Sequence, residues 1–294
     1  MTTIVYIICM LLFLGPGTYR SDISREGSPV PPPAESGELR QESLTYTQEN
    51  KDENTIFQPQ QSASAEELSQ EEAKDSFLTE GPPLAGRTIC IDPGHQSQIL
   101  STKVPIAPGQ ARLMPNYNIG TVGITTRNFE YAVVLDIAME LEKRLKELGA
   151  RVVLTRESND IPVGNLERAL LASEAGADIT LSLHCDGHED EKISGLSVLH
   201  PGDKYINDQN LLEKSRSLSQ FILQHIIKET KARNRGLSPR NDLIIFNYSK
   251  NPCALIELGF LTNPEEDRLL NSEDYRNKLI DGIIKGIMEY FKLY

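Results

Sequence analysis

From Arg87 onward, short apolar runs alternate with longer stretches in which apolar residues recur every three or four positions. That alternation predicts strands and amphipathic helices of an α/β layered domain. Thr88 to Asp92 (TICID) reads as a buried strand that leaves through Pro93-Gly94-His95. Phe129 to Leu148 reads as a helix, with Ala132, Leu135, Ala138, Leu141 and Leu145 on one stripe and Gly149 as its stop. Arg151 to Thr155 is the next strand, and Leu166 to Ala175 a helix with Asn165 as its cap. Asp178 to His184 and Gly195 to His200 read as strands, and about Asp208 to Lys231 as a long helix. Leu243 to Phe246 reads as a short strand and Cys253 to Leu258 (CALIEL) as a central one. Asn263-Pro264-Glu265-Glu266 carries a cap residue, a proline at the first helical position and a glutamate three past the cap, a strong helix start. Tyr275 to Phe291 closes the chain as an amphipathic helix, and no internal repeat is visible.

Ahead of Arg87 the pattern is absent. Residues 18–85 hold eight Ile, Leu, Val or Met alongside Pro31-Pro32-Pro33 and Glu/Ser runs. So little apolar surface does not offset the entropy of ordering, which predicts a disordered linker. The first 17 residues are uncharged and contain the unbroken run Ile4 to Leu14 before Gly15-Pro16-Gly17. Its length matches the core of a signal peptide and is shorter than the ~20 residues of a spanning helix. Export is expected, with a retained short membrane anchor as the alternative because no Lys or Arg precedes the run. The expected division is 1–17 signal or anchor, 18–85 acidic linker and 86–294 folded domain.

Charge follows the same boundary. The net −12 of the 294 residues comes mainly from residues 18–85, which carry −9, and leaves −3 for 86–294. No basic surface for nucleic acid is expected. Beyond Cys9, the cysteines Cys90, Cys185 and Cys253 form no C-x-x-C pair, so small buried hydrophobes are the simplest reading. The chain has no Trp, and its linker only four aromatics, so no separate sugar-stacking binding module is expected.

Polar groups at strand ends are where an open α/β sheet binds ligands. His95 leaves the first strand, His184 ends another, Glu257 stands inside CALIEL and Glu130 opens the long helix. Facing one cleft, these residue types can hold a zinc ion with two imidazoles and a carboxylate, leaving a fourth position for water and a second carboxylate as base. Their separations carry no local metal signature and H-e-x-x-h is absent, so on spacing alone turn-forming and core histidines remain the alternative. Glu257 is harder to place so simply, because a buried unpaired carboxylate is costly.

Several segments in order carry a resemblance: Ile91-Asp92-Pro93-Gly94-His95, Glu130, Gly149 to Arg156, Asn165-Leu166-Glu167-Arg168, Ala175 to Asp178, Ser182-Leu183-His184 and Ile256 to Glu266. Over roughly Gly86 to Tyr294 the chain resembles the zinc-dependent N-acetylmuramoyl-L-alanine amidases of type 3. The resemblance implies a single three-layer domain with a twisted, mostly parallel mixed sheet flanked by helices. It implies one Zn²⁺ on His95, Glu130 and His184, with Glu257 as the catalytic carboxylate that activates the zinc-bound water. The expected reaction is hydrolysis of the amide between N-acetylmuramic acid and L-alanine in peptidoglycan, by an exported monomer. A zinc peptidase acting on wall peptides and a silent wall-binding or regulatory domain are the alternatives.

Three places depart from that pattern. Gln96 to Asn128 is longer than the family's common form and reads as a wall or lid over the metal, with an edge-shielding loop as the alternative. Cys185-Asp186 stands where Ala-Asn is common, and His188 lies four residues after His184. Arg233-Asn234-Arg235-Gly236 offers guanidinium groups that match carboxylates of a stem peptide, or else a solvated helix end.

Overall fold

The computed structural model describes residues 81–116 and 119–294. The N-terminal apolar run and all of the acidic linker up to residue 80 lie outside the described residues. In chain order the elements are β1 (Thr88–Pro93), β2 (Lys103–Pro105), β3 (Leu113–Pro115), α1 (Glu130–Glu147), β4 (Arg151–Leu154), α2 (Asn165–Glu174) and β5 (Ile179–Asp186). They continue with β6 (Leu196–Pro201), α3 (Gln209–Thr230), β7 (Asn234–Arg240), α4 (Ile244–Asn247), β8 (Cys253–Phe260), α5 (Pro264–Leu270) and α6 (Glu273–Phe291).

Six strands form one sheet in the order β4-β1-β5-β8-β6-β7, and β2 pairs with β3 in a separate hairpin. Every neighbour in the large sheet runs parallel except β6 against β8. Alternate residues of the strands face opposite sides. Ile89, Ile91, Leu181, Leu183, Ala254 and Ile256 pack with α1, α3 and α6 in the main core. Cys90, Cys253 and Leu255 face the other way, into small clusters with Ala169 and Ala172 of α2 and Ile245 and Phe246 of α4. The domain is therefore three-layered, with a mixed, mostly parallel sheet between helices. Among the described residues, no helix is long and apolar enough to cross a membrane.

Several local expectations change. The folded unit takes in residues ahead of position 86: Leu84 is buried in the main core and its N–H donates to the Leu148 carbonyl at 2.9 Å. Leu243 to Phe246 is not a strand, since Ile244–Asn247 forms the short helix α4. The strand lies just before it, at β7, where Asn234 to Arg240 has no apolar alternation and pairs only with β6 at the sheet edge. Asn165 is the first helical residue of α2 and not its cap. The capping is supplied from an earlier segment by Asn116, whose Oδ1 accepts from the Leu166 N–H at 3.1 Å and whose carbonyl accepts from the Asn165 N–H at 2.8 Å.

Asn263 caps α5 as expected, accepting from the N–H groups of Glu265 and Glu266. Glu266 does not complete a capping box. Its carboxylate accepts from the Gly195 and Phe260 N–H groups, both at 2.8 Å, tying the start of β6 to the end of β8.

Candidate metal centre

The carboxyl edge shared by the parallel strands β1, β5 and β8 carries the chemistry. His184 on β5 and Glu257 on β8 are Cα partners in register and point to the same face as Cys90 and Leu255. His95 follows β1 with φ of 58°, a left-handed conformation that a non-glycine residue seldom adopts. Gly94 is required beside it, because a Cβ there would stand 2.3 Å from His184 Cε1. Glu130 arrives from the first turn of α1. His95 Nε2 lies 3.1 Å and His184 Nδ1 3.0 Å from the same Glu130 oxygen, Oε1, and the two imidazole rings meet edge to face at 4.7 Å.

Each of the three offers a ligand atom within 4.8 Å of the others, and among the described residues this is the one such group able to share a metal ion. Backbone amides hold the carboxylate in place: Cys185 N–H donates to Glu130 Oε1 at 3.0 Å and Thr121 N–H to Oε2 at 2.8 Å. Two imidazoles and one carboxylate form a donor set that suits catalytic zinc.

Burial pushes the Glu130 carboxyl upward, but the neighbouring His95 and His184 outweigh it and hold the group well below the usual carboxylate range. Glu257 goes the other way. Burial drives its pKa well above normal, Asp186 and Glu130 add to the rise, and Arg240 opposes it. Its Oε2 is buried with no hydrogen-bond partner among the described residues. A buried, unpartnered carboxylate oxygen beside a metal-capable cluster fits a proton-transfer group of a metal centre.

The sequence profile of the N-acetylmuramoyl-L-alanine amidase family matches residues 89–289. The chain belongs to this family. It is thereby a hydrolase of peptidoglycan, an amidase of the N-acetylmuramoyl-L-alanine class. The Bacillus subtilis protein YqiI is 30% identical over 209 residues, covering 71% of this chain and 87% of that protein. The germination-specific N-acetylmuramoyl-L-alanine amidase of the same organism is 27% identical, covering 74% of this chain and 85% of its own. The crystal structure of an N-acetylmuramyl-L-alanine amidase from Mycobacterium smegmatis superposes with a TM-score of 0.64 at 25% identity, over 72% of this chain and 99% of that one.

Within this amidase-family domain the departures resolve separately. The end of the long segment does border the metal cluster: a Cβ at Gly120 would stand 2.5 Å from Glu130 Oε2 and 2.8 Å from the His95 ring. Its hairpin β2–β3 is held elsewhere, by Asn247 Nδ2 donating to the Ile106 carbonyl at 2.8 Å and Tyr248 Oη to that of Pro105 at 3.2 Å. His188 is outside the cluster, its Nδ1 accepting from the Asp190 N–H at 2.9 Å. Asp186 accepts from the Gly187 N–H at 2.8 Å, and burial raises its pKa. Arg235 stacks over the Phe260 ring at 5.0 Å and belongs to β7, not to a helix end. Cys90, Cys185 and Cys253 are free and buried, as expected of small hydrophobes, and burial lifts the Cys90 thiol to about 12. His200 bonds the Pro201 carbonyl and His225 pairs with Glu289, both structural roles.

Sequence reasoning assigned no role to Arg156 or Arg168, although both stand in the segments that carry the resemblance. Both are buried, and Arg168 forms an ion pair with Asp92 at 2.8 Å. Asp92 also accepts from Thr155 Oγ1 at 2.6 Å and Ser182 Oγ at 2.7 Å. Burial would raise its pKa, yet Arg168 and these hydroxyls lower it to about 2.

Proposed function

We propose that this chain is an exported zinc-dependent amidase that hydrolyses the bond between the lactyl carbonyl of N-acetylmuramic acid and the amine of L-alanine in peptidoglycan. The observation that carries this reading is the His95–Glu130–His184 cluster beside the buried, unpartnered Oε2 of Glu257. Family membership supports the substrate. Peptidoglycan lies outside the cytoplasmic membrane, which accords with the apolar run Ile4 to Leu14 serving export.

His95, Glu130 and His184 would hold the ion. Zinc, when bound there, supplies Lewis acidity that polarises the scissile carbonyl and lowers the pKa of water to about 7. Glu257 accepts the proton of the attacking water and delivers it to the departing amine, a service worth roughly 10²–10⁴-fold. The rise in its pKa, caused by burial, favours taking up the water proton. The amides of Thr121 and Cys185 keep the Glu130 carboxylate oriented. The domain acts as a monomer, with the acidic linker as a spacer from the exported end.

Incubating the full chain with purified peptidoglycan, with and without a chelator, tests this. Mass spectrometry should find stem peptides with a free L-alanine amino end and muramic acid with a free lactyl carboxylate, both lost on chelation. Cleavage within the stem peptide would instead identify a peptidase. No chelator-sensitive product would identify a silent domain.

A further inference from the structure

The three metal ligands come from separate elements, and two buried arginines touch the backbone that joins them. Arg156 donates from Nε to the Pro93 carbonyl at 2.9 Å, and from Nη2 to the Gly94 carbonyl at 2.9 Å and the Tyr131 carbonyl at 2.7 Å. Arg168 donates from Nη1 to the Pro93 carbonyl at 2.7 Å and from Nη2 to the His95 carbonyl at 2.9 Å. Three consecutive carbonyls, ending at His95 itself, therefore accept from guanidinium groups. Tyr131 is the neighbour of Glu130 in the first turn of α1. Asp92, paired with Arg168, accepts from Ser182, which stands two residues before His184 on β5.

We propose that Arg156 and Arg168 are positioning residues of the metal centre. They fix the loop that carries His95 and join it to the first turn of α1 and to β5, so that the ligands stand converged before an ion arrives. The chemistry of the loop calls for such a device. Left to itself, a strand exit through Pro93-Gly94 would not settle on the left-handed conformation that His95 adopts. Carbonyl oxygens turned inward from such a loop need donors, and a planar guanidinium meets several at once in a fixed fork. Lysine has the charge without the fork, so Arg156→Lys separates geometry from electrostatics.

This inference rests on the zinc reading above, and zinc itself is the probe. In the full-length chain, Arg156→Lys should weaken zinc binding about 10- to 100-fold, measured by competition with a chelator. It should also shift the visible absorption of the cobalt-substituted protein. A merely structural role lowers the melting temperature of zinc-free and zinc-loaded protein equally and leaves affinity within about threefold. That result would overturn the proposal. If Arg156→Lys does not fold, hydrogen exchange on the wild-type chain decides. The Gly94 amide, which donates to the Leu183 carbonyl at 2.9 Å, should be equally protected with and without zinc. Protection that appears only with zinc would show that the ion, not the arginines, orders the loop. Failure of the wild-type chain to bind zinc would remove the metal reading itself, whereas binding unaffected by Arg156→Lys removes only this inference.

Discussion

On one side of the sheet, Ile89, Ile91, Leu181, Leu183 and Ile256 vanish into a continuous apolar core under α1, α3 and α6. On the other side the intervening residues of the same strands include Asp92, Ser182, His184 and Glu257, under the lighter cover of α2 and α4. One face is held by area and close approach: α3 and α6 touch at Gly282 and Gly286, where a Cβ would stand 2.5 and 2.6 Å from the Cα atoms of Ile226 and Ile222. The other is held by charge-assisted hydrogen bonds around two arginines and one aspartate. A period of two lets each strand supply apolar core at alternate positions and the polar side chains of the candidate site at the positions between.

Whether the polar face also sustains the fold can be asked directly. Arg168→Ala leaves Asp92 charged and unpaired, and chemical denaturation should record a loss of about 3–5 kcal/mol. That overlaps the cost of a large-to-small change such as Leu181→Ala in the apolar core, about 2–5 kcal/mol. A loss below 1 kcal/mol would confine the arginines to the site. Acid sharpens the contrast. With its pKa lowered to about 2, Asp92 contributes stability that is complete above its unfolded value near 4 and disappears as pH falls towards 2. Roughly 2 kcal/mol is at stake, and Asp92→Asn should flatten that part of the stability–pH profile. Gly286→Ala probes the apolar side. The added methyl meets backbone of α3, and even after a helix-propensity gain a net loss of about 1–2 kcal/mol is expected from thermal unfolding, with zinc affinity unchanged.

Much of this contrast was legible in the chain, for physical reasons that differ by element. The buried strands and long helices announce themselves because their apolar period reports burial directly. β7 did not, since an edge strand reading Asn-Arg-Gly-Leu-Ser-Pro-Arg is recruited by its pairing with β6 rather than by its own side chains. The cap of α2 was misassigned because Asn116, about fifty residues earlier, supplies it. His95, Glu130 and His184 meet only through the sheet order, which no local spacing encodes; from the sequence, only the family resemblance joins them. The roles of Arg156 and Arg168 stayed hidden because they bind backbone carbonyls, which leave no mark in a sequence. Arg156 follows the end of β4 and Arg168 lies within α2, and neither setting marks a guanidinium as buried.

The central claim is that three ligands hold the ion while Glu257 alone moves the proton. Glu257→Gln tests it most directly, with zinc content and release of L-alanine amino ends measured on the same preparation. The account predicts one zinc per chain in wild type and variant alike, with release slowed at least about 10²-fold in the variant. A variant that still releases the peptide at the wild-type rate, or one that loses its zinc, would contradict it.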